Sequence, residues 1–253
     1  MMRLFWNALG WIVHGLFAVT VYYLFWFLYG VDQPAPTTTA RALAIDGLLA
    51  GQFALWHSAL LLPATRKLLT RWIPSPAYGV CYCGATCVLL LTVIGFWQPC
   101  GHPLWHAQGL AEVAVRGGFY GCWVMLFYSL YFSGYGNQTG WTSWWPWVRG
   151  LAVPKRIFQP RAIYLWLRHP VYLSFLGLVW FVPCMTIDRA ALTAVWTIYV
   201  FVGSYLKDRR MVHYLGMSYR EYQAQVPGYP LMLAGPLGRL RLPRVAEEAV
   251  PVA

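Results

Sequence analysis

The feature that most constrains this chain is a series of long apolar runs. A helix needs about 20 such residues to cross a hydrocarbon core roughly 30 Å thick. Phe5 to Tyr29 is apolar apart from Asn7 and His14. At about 25 residues it exceeds the apolar core of a secretory signal peptide and reads as a first membrane helix. Asp32 to Thr39 is a turn-rich break. Ala42 to Leu62, carrying Asp46, Gln52 and His57, reads as the second span, Tyr78 to Phe96 as the third and Glu112 to Phe132 as the fourth. Val171 to Val182 is too short to span comfortably, but joined to Ala190 to Leu206 across the Pro183 to Asp188 break it makes a helical hairpin. The expected fold is therefore all-α: a polytopic integral membrane protein with about four transmembrane helices plus a C-terminal helical hairpin.

Composition agrees, since 59% of the residues are hydrophobic and only 11% charged, against about a quarter charged in a soluble domain. A soluble globule is excluded. The net charge of +11 forms no continuous basic stripe interleaved with exposed aromatics, so no nucleic-acid partner is expected. Topology explains the charge better, because Lys and Arg concentrate in cytoplasmic loops near span ends. With both termini cytoplasmic, sixteen of the nineteen basic residues fall on the cytoplasmic side, leaving only Arg41, Arg116 and Arg189 outside. Trp141, Trp144, Trp145 and Trp147, in the long loop after the fourth span, are expected at the headgroup level. The chain divides into an N-terminal helix and loop (1–40), a membrane domain (41–235) and a tail (236–253) whose Pro, Gly and Arg content reads as disordered.

The six cysteines lie mostly in or beside spans, where a buried thiol behaves as a small hydrophobe, and no disulfide framework is inferred. Cys100, His102 and His106 cluster in one loop, but their spacing matches no standard zinc pattern, so no metal is expected. His14 and His57 are conceivable haem ligands. A lone membrane histidine more often satisfies a neighbouring helix through one hydrogen bond.

Ionisable residues inside or beside membrane segments are the candidates for function. The densest group is Arg168, His169 and Pro170 at the start of the hairpin, with Lys207, Asp208, Arg209 and Arg210 at its end. The hairpin brings both clusters together. Pro170 suits a first helical position, where its missing N–H costs nothing, and the free N–H groups beyond it can receive an anion. On physics alone these charges could equally be cytoplasmic anchors, and Tyr172, Tyr219 and Tyr222 belt aromatics.

The pattern Arg168-His169-Pro170-x-Tyr172, a hairpin, a charged pair, then Gly216-x-x-Tyr219-x-x-Tyr222 and Pro227 resembles the membrane isoprenylcysteine carboxyl methyltransferase superfamily. The run from Trp180 through Pro183 and Met185 to Thr186 is similar to its bacterial methanethiol S-methyltransferase branch. Weaker matches are Gln52, His57, Ser58, Arg66, Lys67, Thr70, Arg71, Pro74, Trp97-Gln98-Pro99 and Tyr135 to Gln138, and the likeness covers residues 40 to 232. The resemblance implies a multi-pass protein of the bacterial inner membrane. It would transfer methyl from S-adenosylmethionine, without a metal, to a small thiol or other hydrophobic nucleophile. Arg168, His169 and Asp208 would then be catalytic, and His169, Pro170, Tyr172, Asp208, Tyr219 and Tyr222 would bind the donor. Arg168 would pair with the donor's carboxylate, the tyrosine faces would meet the sulfonium, and Trp180 and Met185 would wall the acceptor recess.

The sequence departs from that family at the hairpin's end, where a pair of glutamates is replaced by Lys207 and Asp208, and at Ser174, which stands for a glycine. Lys207 repels a sulfonium unless its long side chain turns away. An alternative therefore stands beside the enzyme: a degraded member serving as an accessory subunit of a membrane assembly, in contact with lipids and other subunits.

Overall fold

The computed structural model describes residues 2–30, 39–100, 103–155 and 157–240. Its helices are α1 (Met2–Tyr29), α2 (Thr39–Leu61), α3 (Pro63–Leu69), α4 (Tyr78–Phe96), α5 (Leu110–Ser133), α6 (Tyr135–Gln138), α7 (Trp141–Val148), α8 (Pro170–Trp180), α9 (Ile187–Leu215) and α10 (Met217–Gln225). Two short strands, β1 (Pro103–His106) and β2 (Cys184–Thr186), pair antiparallel. Helices α1, α4, α5 and α9 are long and apolar enough to cross a membrane by themselves. A fifth span is formed if α2 and α3 count as one, bent by 74° where Pro63 removes a backbone donor. Helix α8, at 11 residues, is short, as expected of one arm of a hairpin. The chain is an all-α, multi-pass membrane protein.

The spans are held by an apolar core drawn from most of the helices, including Leu24, Phe53, Val93, Phe119, Leu178 and Trp196. Polar contacts at the helix ends fix which ends share a face. On one face the Trp144 indole N–H donates to the Trp6 carbonyl at the start of α1 (2.8 Å), and the Tyr78 hydroxyl donates to the Leu60 carbonyl at the end of α2 (2.6 Å). On the other, Asp46 of α2 accepts from the Gln98 amide after α4 (2.9 Å), and Arg189 of α9 donates to the Phe27 carbonyl of α1 (3.3 Å). The β1–β2 pair closes this second face. Arg41, Arg116 and Arg189 lie at helix ends on the second face, while the helix ends and loops carrying the other described basic residues lie on the first.

Three local expectations are corrected. Lys207 to Arg210 do not follow the last helix but lie within it, because nothing between Ala190 and Leu215 stops a helix; α9 ends at Gly216, whose φ of 59° suits a residue without Cβ. The tryptophan-rich loop is not wholly interfacial: it contains α7, and Trp144 is completely buried against Gly10 and His14 of α1. Asp46, close enough to a span end to be expected at the interface, is instead buried beneath the Gln98 turn. Of the tail read as disordered, residues 236–240 are described and hydrogen-bonded, with Gly228 N–H donating to the Leu237 carbonyl (2.7 Å). Residues 241–253 and His102 lie outside the described residues.

Candidate functional site

The hairpin delivers its two polar clusters to one place. Pro170 starts α8, and just before it the chain runs beside the Pro227–Gly228 turn: Arg168 N–H donates to the Pro227 carbonyl (2.9 Å) and His169 N–H to the Gly228 carbonyl (3.2 Å). Asp208, two turns before the end of α9, meets them. Arg168 Nη2 and Nε donate to Asp208 Oδ2 at 2.9 and 3.2 Å, and the Tyr219 hydroxyl donates to Oδ1 at 2.5 Å. Arg168 Nη1 donates to the carbonyls of Gln223, Val226 and Gly238. Every nitrogen of the guanidinium is thus used inside the protein. As it stands the group braces α8, α9, α10 and the 226–238 segment, with none of its fork free for a ligand's carboxylate.

Tyr219 and Tyr222 are also turned inward. Phe158 packs on both rings, with centroids 5.5 and 5.4 Å away, and the Tyr222 hydroxyl donates to the Tyr164 carbonyl. Both rings are buried. Ser174 fits within α8, its hydroxyl donating to the Pro170 carbonyl at 3.0 Å.

His169 differs from these. Its side chain is fully buried, yet neither ring nitrogen has a hydrogen-bond partner. Nε2 lies 3.2 Å from Asp208 Oδ2 without hydrogen-bond geometry. The rings of Tyr172 and Tyr229 each sit 5.6 Å from it. Burial drives the imidazole from its ordinary 6.5 down to about 4, against the pull of Asp208. The ring is therefore neutral near pH 7, with one nitrogen able to donate and the other to accept.

The residues expected at the site thus form two layers. Arg168, Asp208, Tyr219 and Tyr222 make a satisfied brace. His169, Tyr172 and Lys207 stand in front of it, with the Lys207 ammonium 5.4 Å above the Tyr172 ring. Lys207 does not turn away from the site, and it occupies a face of Tyr172 on which a sulfonium could rest. Trp180 and Met185 do not join them. Trp180 lies ten residues along α8, about 15 Å away at 1.5 Å per residue. Met185 is buried in β2, toward the second face.

Sequence reasoning overlooked Tyr229 and Ser204, whose hydroxyls are 2.5 Å apart beside His169, and Tyr82 and Tyr199, which surround His57. Only the helical spacing of Tyr199, Gly203 and Lys207 could have signalled the last. Among the described residues no three His, Cys, Asp or Glu side chains gather as metal ligands would. His14 bonds its own helix, Nδ1 lying 2.7 Å from the Gly10 carbonyl, and His57 meets the Tyr82 hydroxyl at 2.8 Å.

Comparison with known proteins gives named relatives over most of the chain. The chain is 29% identical over 219 residues to methanethiol S-methyltransferase 1 of Bradyrhizobium diazoefficiens, covering 83% of this chain and 76% of that protein. It is 27% identical to a methanethiol S-methyltransferase of a Pseudomonas species, covering 83% and 84%. Nurim of Xenopus laevis is 28% identical, covering 68% of this chain and 66% of that protein. These relatives are members of the isoprenylcysteine methyltransferase-like family, to which the chain is similar. The motif reading of Arg168 through Pro227 led to the same family. No family model and no solved structure matches the chain.

The neutral, unpartnered His169 has a pH consequence. Its folded pKa of about 4 lies below the ordinary 6.5, so the unfolded chain binds a proton there between those values and the folded chain does not. Stability from this group is complete above pH 6.5 and is lost as pH falls toward 4. The loss is on the order of 3 kcal/mol. Thermal unfolding in detergent micelles at pH 7.5 and 4.5 should show a larger drop for the wild type than for His169→Gln. Equal drops would contradict it.

Proposed function

We propose that the chain is an integral-membrane methyltransferase that takes methyl from S-adenosylmethionine and passes it to a small thiol or similar hydrophobic nucleophile, at a site facing the cytoplasm from the bacterial inner membrane. The observation that carries this is His169: a fully buried, neutral imidazole with Nδ1 unpartnered and Nε2 meeting only the Asp208 carboxylate at 3.2 Å, flanked by tyrosine rings, where α8 meets α9. A buried polar ring left without partners costs free energy unless a ligand completes it. The names of the methanethiol S-methyltransferase relatives say which ligands to try first.

The residues present fit such a donor in part. His169 has a donor and an acceptor to offer, and Tyr229 and Tyr172 offer aromatic faces to a purine or a cation. When bound, S-adenosylmethionine supplies an activated methyl on a sulfonium. The chain's own contribution is to hold the thiol's sulfur in line with that methyl and to keep water away. The Arg168–Asp208 brace contributes rigidity, because His169 hangs from backbone tied to Pro227 and Gly228. An open apolar groove of about 400 Å³ is lined by Tyr128, Ala162, Ile163, Leu165, Trp166 and Leu167, and it is a place to look for a small hydrophobic acceptor.

Calorimetry of the purified full chain with S-adenosylmethionine tests the proposal. Binding is expected, weakened at least tenfold by His169→Ala, and absence of binding sinks it as written. Lys207 favours the accessory-subunit reading, since its ammonium stands over Tyr172. Lys207→Glu should tighten donor binding about tenfold, equivalent to about 1.4 kcal/mol, by removing a like charge. If the wild type binds nothing and Lys207→Glu with Asp208→Glu restores binding, the accessory reading takes its place.

A further inference from the structure

Helix α3 turns 74° away from α2 at Pro63, and a helix turned that far from one that crosses the bilayer lies close to the membrane plane. Its turns continue to Ile73, whose N–H donates to the Leu69 carbonyl at 2.9 Å. At 3.6 residues per turn, Arg66, Lys67 and Arg71 fall within roughly 140° of one another, Leu69 and Ile73 lie on a second side, and Leu68 with Trp72 make a third. The Leu69–Ile73 side is partly buried and rests on the protein, whereas all three cations are exposed, and so are Leu68 (53%) and Trp72 (85%). Two contacts hold the segment in place. Arg66 Cζ sits 5.3 Å over the Tyr78 ring, and the Tyr78 hydroxyl donates to the Leu60 carbonyl.

None of these cations pairs with a carboxylate among the described residues. Of the described acids, Asp46, Glu112 and Asp188 belong to the second face, Asp208 is taken by Arg168, and Glu221 alone is exposed on the first. Arg3, lying against Gly150, and Arg149 add two more exposed cations to this face. Exposed charges so closely spaced are too costly to sink into hydrocarbon, so the bent segment does not re-enter the membrane. Plain water does not suit it either, because Leu68 and Trp72 show large apolar surfaces beside the charges. A flat segment that is basic on one side and apolar on the next meets both needs at the headgroup level. There an indole rests at the boundary while lysine and arginine reach the phosphates.

We propose that α3 and the turn after it form a docking surface for anionic phospholipid, with Arg66, Lys67 and Arg71 taking the headgroup phosphates while Leu68 and Trp72 enter the acyl boundary. Charge complementarity selects the headgroup: a zwitterionic lipid carries its own cation, whereas an anionic one leaves its phosphate to be matched by the protein. A free phosphate ion would use the three cations but leave Leu68 and Trp72 in water. The surface does not involve His169, and it stands whether or not the chain transfers methyl.

The test titrates the full chain, in micelles of neutral detergent, with phosphatidylglycerol and with phosphatidylcholine of the same acyl chains, and reads bound lipid by native mass spectrometry. The wild type should prefer phosphatidylglycerol by about tenfold or more. Lys67→Gln with Arg71→Gln, which spares the Arg66–Tyr78 contact, should cut that preference to about threefold or less, and each change alone should remove part of it. Both side chains are exposed and bond nothing among the described residues, so the double variant should keep the wild-type unfolding midpoint. Arg209→Gln with Arg220→Gln, also exposed, should leave the preference unchanged, which separates a located surface from general positive charge. Trp72→Ser should weaken both lipids to a similar degree. No preference in the wild type, or one that the Arg209 and Arg220 changes reduce as much as the Lys67 and Arg71 changes do, overturns the proposal. Displacement of the lipid by glycerol 3-phosphate or by polyglutamate would assign the cations to a soluble phosphate or to an acidic protein, and overturns it equally.

Discussion

Asp208→Ala is expected to lower the stability of the folded chain by roughly 3–5 kcal/mol, the range found when one partner of a buried ion pair is removed. Arg168 is 1% exposed and Asp208 3%, so water cannot replace the missing carboxylate without opening the structure. The truncation leaves a guanidinium with Nη2 and Nε unmatched, and it also strips the Tyr219 hydroxyl of its acceptor. The damage should spread along what Arg168 holds together, because Nη1 ties the carbonyls of Gln223, Val226 and Gly238 to α8. Asp208→Asn, whose single amide oxygen keeps an acceptor for the guanidinium while its NH2 faces the Tyr219 hydroxyl oxygen, should cost less. Arg168→Met with Asp208→Leu should recover part of the loss but not all, since three carbonyls then lack a donor. Unfolding in a denaturing-detergent titration of the micellar protein measures all three. A loss below about 1 kcal/mol for Asp208→Ala would mean that the pair is hydrated in solution and that the brace does not exist.

The same residues show how far sequence alone could go. That Arg168 and Asp208 would meet was legible, because a hairpin of one short and one long apolar helix returns the chain to its starting face, and the charges at its ends have nowhere else to gather. What they do on meeting was not. Whether a guanidinium points at a ligand or at its own protein depends on where carbonyls from Gln223, Val226 and Gly238 fall, and these are backbone groups of a segment with no periodic pattern to read. Apolar run length located Tyr78–Phe96 to the residue, since it is bounded by Pro76 on one side and Trp97-Gln98-Pro99 on the other. The same signal stopped α9 too early. Charge density was taken for the end of the helix, whereas backbone conformation ended it at Gly216. The β1–β2 pair was invisible, three or four residues per strand being too short to display alternation.

Gly140→Ala should be the most disruptive single-methyl change on the first face. Gly140 precedes α7 with φ of +81°, a conformation that costs a residue with a Cβ of order 1–3 kcal/mol. The added methyl would also overlap the Val80 amide nitrogen and the Gly79 carbonyl carbon at the start of α4. Those atoms belong to a helix backbone and cannot move aside as the tip of a side chain would. Strain and overlap together should cost about 3 kcal/mol or more. The consequence reaches beyond the turn, because α7 carries Trp144, whose buried indole locks the start of α1 through the Trp6 carbonyl. Undocking α7 should therefore free Trp144 and shift the chain's tryptophan emission to longer wavelength, alongside a lower unfolding midpoint. Gly79→Ala, whose methyl would come 2.8 Å from the Gly140 Cα, should reproduce the effect more mildly, as it has no positive φ to strain. Gly121→Ala, on α5 with open space around the new methyl, should be neutral or stabilising by up to about 1 kcal/mol, since alanine loses less backbone freedom on folding. If Gly140→Ala matched Gly121→Ala in midpoint and emission, α4 and α7 could not be in backbone contact, and the first face would lose one of the joints that tie α1 to the rest of the bundle.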